Sequence, residues 1–298
     1  MKKNRLEALF NLLDDPDDTV FGMVQQELLK ETDDIIPELE RKWESSFDEN
    51  FQERIEGIIQ NLQFKETSSR LRLWLNREEG ERSLLNGFCH VDRFQYPDLN
   101  PLYIQMKIEN LRKSIWLELN NSLTLLEKIT ILNHFLFNLN GFSINLSNPH
   151  SPQNCFLNQI IDTRKGNPVS MSIFYTIMAR QLELPARLVD FPKNPLVAIV
   201  DSKLARKVHG NSQTSDVLFY INPSNKGAIT SRKEIEYHLK KNEYYPLHKY
   251  SEPRSDVLFL RRLLETVQES YQSVGYTEKE DKIGELLDLI EVKEYKNL

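Results

Sequence analysis

A proline-opened apolar helix followed closely by three β-prone runs limits the folds open to this chain more than any other feature. From Pro168 onward, Met171, Phe174, Met178 and Leu182 recur at helical spacing. Proline is well tolerated at a first helical position, because the N–H it lacks has no partner inside the helix. Runs 186–190, 196–200 and 217–221 then read as short strands. One buried helix followed by three strands predicts a small antiparallel sheet packed on that helix.

The rest of the chain reads as helical. Residues 1–64 carry four amphipathic patterns: Leu6, Leu9, Phe10 and Leu13; Val20, Val24, Leu28 and Leu29; Ile35, Ile36, Leu39 and Trp43; and Phe51, Ile55, Ile58, Ile59 and Leu62. The acidic run 14–18, broken by Pro16, separates the first two, with Asp17 or Asp18 placed to cap the second. The third is expected to begin near Asp33 and Asp34. Residues 12–20 resemble the start of a HEAT-type repeat, with an ordinary helical domain as the alternative. Such a layer offers an extended face, and its acidic turns favour a basic partner or serve only as caps. Residues 65–69, polar and aperiodic, mark the expected boundary.

Longer helices are predicted over 103–119 and 124–139. The second starts with a capping box, Thr124 and Glu127, and stops at Gly141. His134 falls inside its apolar pattern and reads as a core histidine, the alternative being a ligand or base. Cys155, Leu157, Ile160 and Ile161 mark a further helix. After the strands, Ser231 and Glu234 repeat the capping box and open a helix to Lys241. Residues 255–292 read as a helical hairpin, with Leu258, Leu263, Val267 and Tyr271 on one arm and Ile283, Leu286, Leu287 and Ile290 on the other. Its turn is expected at Gly275, followed by a box at Thr277 and Glu280.

Bulk properties narrow the function. Hydrophobic residues make up 40% and charged residues 28% of 298, with a formal charge of −6. That sign is wrong for neutralising phosphates, so nucleic acid is not an expected partner. The cluster Lys203, Arg206, Lys207 and His209 reads as a solvated loop, the alternative being an anion contact. Cys89 and Cys155 match no disulfide framework or ligand spacing, so no metal or cofactor is signalled and a reducing compartment fits. Lys2, Lys3 and Arg5 look like a leader's charged start, but Glu7, Asn11, Asp14 and Asp15 break the apolar stretch that should follow. No window approaches a membrane span, and the expected location is cytoplasmic.

The segment from Asp162 to Arg187, holding Arg164, Gly166, Asn167, Pro168, Ser170, Leu182, Pro185 and Ala186, resembles the core of SirB-type proteins, a bacterial branch of the transglutaminase-like superfamily. Asn154, Cys155 and Asn158 before it are similar to that family's other landmarks. So are Phe191 and Pro192 after it, and Tyr220, Asn222, Pro223 and Gly227 further on. The order matches over roughly residues 70–290, and the helical tail resembles a tetratricopeptide-like end. The resemblance implies an α+β, mainly α fold: a transglutaminase-like (papain-like) core with a small antiparallel sheet, flanked by helical-repeat segments. Its implied parts are a HEAT-like layer (1–64), a lead-in and core (65–250) and a tetratricopeptide-like hairpin (251–298).

Active members of that superfamily are thiol enzymes. A Cys at a helix N-terminus gains thiolate character from the helix dipole, a His accepts its proton and an Asp orients the His. Laid on this chain, the pattern puts the nucleophile at Pro168, the base at Asn194 and the orienting acid at Asn222. None of the three can play its part. The implied function is non-catalytic recognition of a protein or peptide, or scaffolding.

Two rivals stand beside it. One is a hydrolase or acyltransferase using Ser170, or using Cys155 with His134, His150 or His209 as base. The other is a purely structural assembly subunit. Asp162, Arg164 and Gly166 read either as an arginine bridge with Gly166 supplying an unusual backbone angle, or as an anion contact in which Arg164, Asn158, Asn194 and Asn222 line the vacated cleft.

Overall fold

The computed structural model describes residues 2–15, 17–31, 35–209 and 215–294. Pro16 of the acidic run, Asp33 and Asp34 at the expected start of the third helix, and the side chain of His209 lie outside the described residues. The chain divides into two compact units, Met1–Leu73 and Trp74–Leu298.

The first unit holds α1 (Lys2–Asn11), α2 (Asp18–Leu28), α3 (Ile36–Ser45) and most of α4 (Glu49–Leu75). Its core joins Phe10, Leu13, Val24, Leu28, Ile35, Leu39, Ile55, Ile58 and Leu62, residues that helical spacing singles out. The acidic residues at the first turn have local work. Asp17 caps α2 by accepting from the Thr19 N–H, and Asp15 accepts from the Asp17 N–H. Arg54 donates to the Asp15 carbonyl and to Asp18 while stacking on Phe21, 4.5 Å from the ring centroid.

Residues 65–69, the expected boundary, lie inside α4, and the two units divide a few residues later, between Leu73 and Trp74. The polarity of residues 65–69 hides the helix for a physical reason. Ser68 Oγ bonds back to the Phe64 carbonyl, Arg70 pairs with Glu66 one turn earlier, and Lys65 reaches the Leu29 carbonyl. Thr67 is buried among them.

The second unit begins with α5 (Leu84–Gln95), α6 (Pro101–Trp116) and α7 (Leu125–Asn133), followed by a π-helical turn, His134–Leu139. The Thr124–Glu127 capping box opens α7 as expected. The π turn changes the fate of His134, which is exposed and bonded to Asn138 instead of buried. Next come β1 (Ser143–Ile144), α8 (Leu157–Thr163), β2 (Lys165–Gly166) and α9 (Pro168–Gln181).

Strands β3 (Ala186–Val189), β4 (Leu196–Val200), β5 (Val217–Asn222) and β6 (Ala228–Thr230) form an antiparallel sheet in that order. The mainly helical α+β class with a small antiparallel sheet is borne out. β6 escaped the sequence reading because it is three residues long, and β1–β2 because each has two. The connection between β4 and β5 contains α10 (Ser202–His209), so the basic cluster sits on a helix and not on a loop.

Alternation along β4 sends Leu196 and Ala198 to one face and Val197 and Ile199 to the other. The first face packs with Val189, Tyr220, Ile235 and Leu239, the last two from α11 (Arg232–Lys241). α9 packs against β3 and β4 and is buried nearly all round, from Val169 to Ala179, so its polar residues must find partners inside. After α12 (Leu247–Ser251), helices α13 (Asp256–Val274) and α14 (Thr277–Glu294) form the expected hairpin about Gly275, at φ 79°. Thr277 is the first helical residue of α14, so the expected box does not cap it. α13 packs on α5 and α9 within this unit. Arg180 of α9 forks onto Asp256, at 2.6 and 3.0 Å, which fixes α13 to the central helix. No described helix is long and apolar enough to cross a membrane.

Candidate functional site

The N-terminus of α9 is closed by its own hydrogen bonds. Asn167 caps the helix by accepting from the Ser170 N–H at 2.9 Å, and the Asn167 N–H donates to Ser170 Oγ at 3.0 Å. Ser170 Oγ lies 2.6 Å from the Asn154 carbonyl, to which it donates. Gly166 sits in a tight space, since a Cβ there would lie 3.0 Å from Ser170 Oγ and 3.2 Å from Ile160 Cγ1. The unusual backbone angle expected at Gly166 belongs instead to Arg164, at φ 61°. Gly166 is needed for close approach, not for a turn.

Cys155 is fully buried beneath this turn, with its Sγ 3.1 Å from Asn167 Nδ2 and 3.7 Å from Ser270 Oγ. Burial pushes its thiol up to about 12, against the smaller opposing effect of those two bonds. Ser170 is fully buried as well. His134 and His150, proposed as bases, are both exposed. Neither nucleophile has a histidine among its hydrogen-bond partners.

Two polar links draw the other pattern positions toward α9. Ser172 Oγ lies 2.8 Å from the carbonyls of both Pro168 and Pro195, so one hydroxyl joins the first turn of α9 to the loop holding Asn194. Asn194 is exposed there, just after Lys193 at φ 62°. Asn222 ends β5, accepts from the Ser224 N–H at 3.0 Å and opens a short 3-10 turn, Pro223–Asn225, that packs on α9. Gly227 closes this turn at φ 75°. Asn133 donates to the Gly227 carbonyl at 2.8 Å and accepts from the Tyr175 hydroxyl at 2.7 Å, so α7 and α9 together hold the turn.

Asn194 and Asn222 line one cleft of about 590 Å³, with Phe191, Glu234, His238 and Tyr244 among its other walls. The Phe191 corner is anchored from α13, where Arg262 pairs with Asp190 and donates to the Phe191 carbonyl. His238 packs its ring on Phe191 at 5.4 Å between centroids. Glu234 accepts from the Ser231 N–H, the Ser231 hydroxyl and the Thr230 hydroxyl, which hold its carboxyl below its ordinary value. A carboxylate so committed is a poor proton donor. His238 and Tyr244 were missed because they lie outside the motif run, on and just after a helix that reads from sequence only by its capping box.

Asn158 and Arg164 do not line this cleft. The Asn158 side chain accepts from the Gln159 N–H. Arg164 donates to the Ile161 carbonyl at 2.7 Å and stacks 4.7 Å above Phe142, which makes it the arginine bridge of the structural reading. Asp162 accepts from the Tyr103 hydroxyl. The sequence also concealed Asp92 of α5, fully buried, whose two oxygens accept from the N–H groups of Leu157 and Asn158 at 2.8 and 2.9 Å. It caps α8 from another helix, and burial raises its carboxyl to about 7 despite those bonds.

Comparison with known proteins agrees with this architecture. The core model of the transglutaminase-like superfamily matches residues 103–265. A UPF0162 protein of Xylella fastidiosa strain Temecula1 is 31% identical over 137 residues, covering 43% of this chain and 47% of the relative. Another from strain 9a5c is 33% identical over 114 residues, covering 37% and 39%. Human F-box only protein 21 is 22% identical over 252 residues, covering 77% of this chain and 38% of that protein. The matched region spans less than half the length of each of these relatives. No solved structure matches the chain.

Proposed function

Because the chain belongs to the transglutaminase-like superfamily, we propose that it is a non-catalytic member, of the SirB-type bacterial branch, that recognises a protein or peptide through the cleft beside its vacated triad positions. One observation carries this reading: Asn194 and Asn222 border an open cleft, while neither they nor Pro168 has a group able to attack, accept a proton or orient a base. The cleft falls in the size range of pockets that hold small ligands, and its aromatic and amide walls suit a chain with apolar side groups and a polar backbone. The enzyme rival needs Ser170 or Cys155 to become accessible, and both are buried with their polar atoms engaged. A cytoplasmic location fits two reduced, buried cysteines.

The test is a pair of assays on the full chain. Thiol transamidation and peptidase activity are expected to be absent, and to stay absent in Pro168→Cys, since Asn194 supplies no base. Peptide capture is expected to fall in Asn194→Leu and in His238→Ala. An iodoacetamide-sensitive activity that Cys155→Ser abolishes would overturn the reading.

A further inference from the structure

At the far end of the sheet from the cleft, α10 presents a surface that the proposed function does not use. The cleft borders the start of β4 and the end of β5, whereas α10 leaves the end of β4 and leads toward the start of β5. The two ends of a five-residue strand lie about 13 Å apart at 3.3 Å per residue. Asp201 caps α10, accepting from the N–H groups of Lys203 and Leu204 at 3.0 and 2.9 Å.

α10 is amphipathic, yet it buries little of its apolar side. Ala205 is buried, while Leu204 is 39% and Val208 63% exposed. At helical spacing Leu204 and Val208 form one ridge, one turn apart, Lys203 and Lys207 form a second row beside it, and Arg206 stands farther round toward the opposite side, all three cations being exposed. None of these three cations pairs with a carboxylate among the described residues. Three cations with no carboxylate partner among the described residues, beside an aliphatic ridge on a chain of net charge −6, offer a locally basic surface.

We propose that α10 is a docking surface for a short acidic peptide segment, with carboxylates against Lys203 and Lys207, aliphatic side chains against Leu204 and Val208, and Arg206 adding to the basic field. The patch is too small for a standard protein interface, which favours a linear segment over a folded partner. It carries none of the tryptophan or tyrosine that anchors helices at a lipid interface, which favours peptide over membrane.

The probe is a fluorescein-labelled twelve-residue pool in which every position is Asp, Glu, Leu or Ile, titrated with the full chain and followed by anisotropy. Binding is expected to weaken about fivefold or more between 50 and 200 mM salt. It should fall about tenfold or more in the triple variant Lys203→Glu, Arg206→Glu, Lys207→Glu. The variant Leu204→Ser, Val208→Ser should lose about tenfold while keeping the salt dependence. All five positions are exposed, and far-UV circular dichroism checks that each variant keeps its helices. The proposal is overturned if the intact chain does not bind the pool, if charge reversal leaves binding unchanged, or if a Lys, Arg, Leu and Ile pool binds equally. Binding to vesicles of phosphatidylserine and phosphatidylcholine without binding to the acidic pool also overturns it, in favour of a membrane.

Discussion

Replacing Asp92 by Asn should weaken the second unit in a way that depends on pH. Both oxygens of the carboxyl accept backbone N–H groups at the start of α8, at 2.8 and 2.9 Å, in a site with no exposure to water. An amide keeps one acceptor and turns an NH2 toward the other N–H. Two donors then face each other without a partner, at a cost of about 2 kcal/mol or more. Burial raises the Asp92 carboxyl from its ordinary 3.8 to about 7. Between those values the unfolded chain has lost a proton that the folded chain retains. The stability linked to Asp92 is therefore fully present below about pH 4 and is lost as pH rises through 7, about 4 kcal/mol in all at 1.36 kcal/mol per unit. The Asn variant has no such titration. Urea unfolding of both proteins at pH 5, 6, 7 and 8, with hydrogen exchange at the Leu157 and Asn158 amides as the local readout, should show the variant weaker by about 2 kcal/mol at pH 5. The gap should narrow by about 1.4 kcal/mol per unit from pH 5 and close between pH 6 and 7. A gap that stays constant or widens over that range would refute the reasoning.

Two further substitutions and one chemical probe test the rest of the site. Gly227→Ala should lower stability by about 3 kcal/mol or more, read by thermal unfolding, because its Cβ would lie 2.3 Å from Asn133 Oδ1 at a φ of 75°. Cys155 should resist iodoacetamide at pH 8 in the folded chain and react once urea unfolds it, since a thiol near 12 leaves about one molecule in ten thousand as thiolate. Asn133→Ala should loosen the Pro223–Asn225 turn, seen as faster hydrogen exchange at Ser224, because Tyr175 and the Gly227 carbonyl both lose their partner.

What was readable in the sequence was what repeats along one element. The four apolar patterns of the first unit each became a helix whose marked residues meet in one core. The boxes at Thr124 and Ser231 were legible for the same reason, as a cap binds groups three residues away. The positions Pro168, Asn194 and Asn222 were readable by residue type, since whether a side chain can attack or accept a proton is written in its identity.

Tertiary structure alone decided which of the site residues share a space. Asn158 and Arg164 stand close to Pro168 in sequence, yet their polar groups are taken by α8 itself, while His238 and Tyr244 reach the cleft from on and just after a helix read only by its capping box. Asp92 looks like any surface acid in a helical pattern until α8 brings two unpaired N–H groups to it across 65 residues. A burial shift or a cleft wall depends on what other elements place within a few ångströms. Local periodicity holds no record of that, so the sequence determined the elements and their chemistry, and packing determined their company.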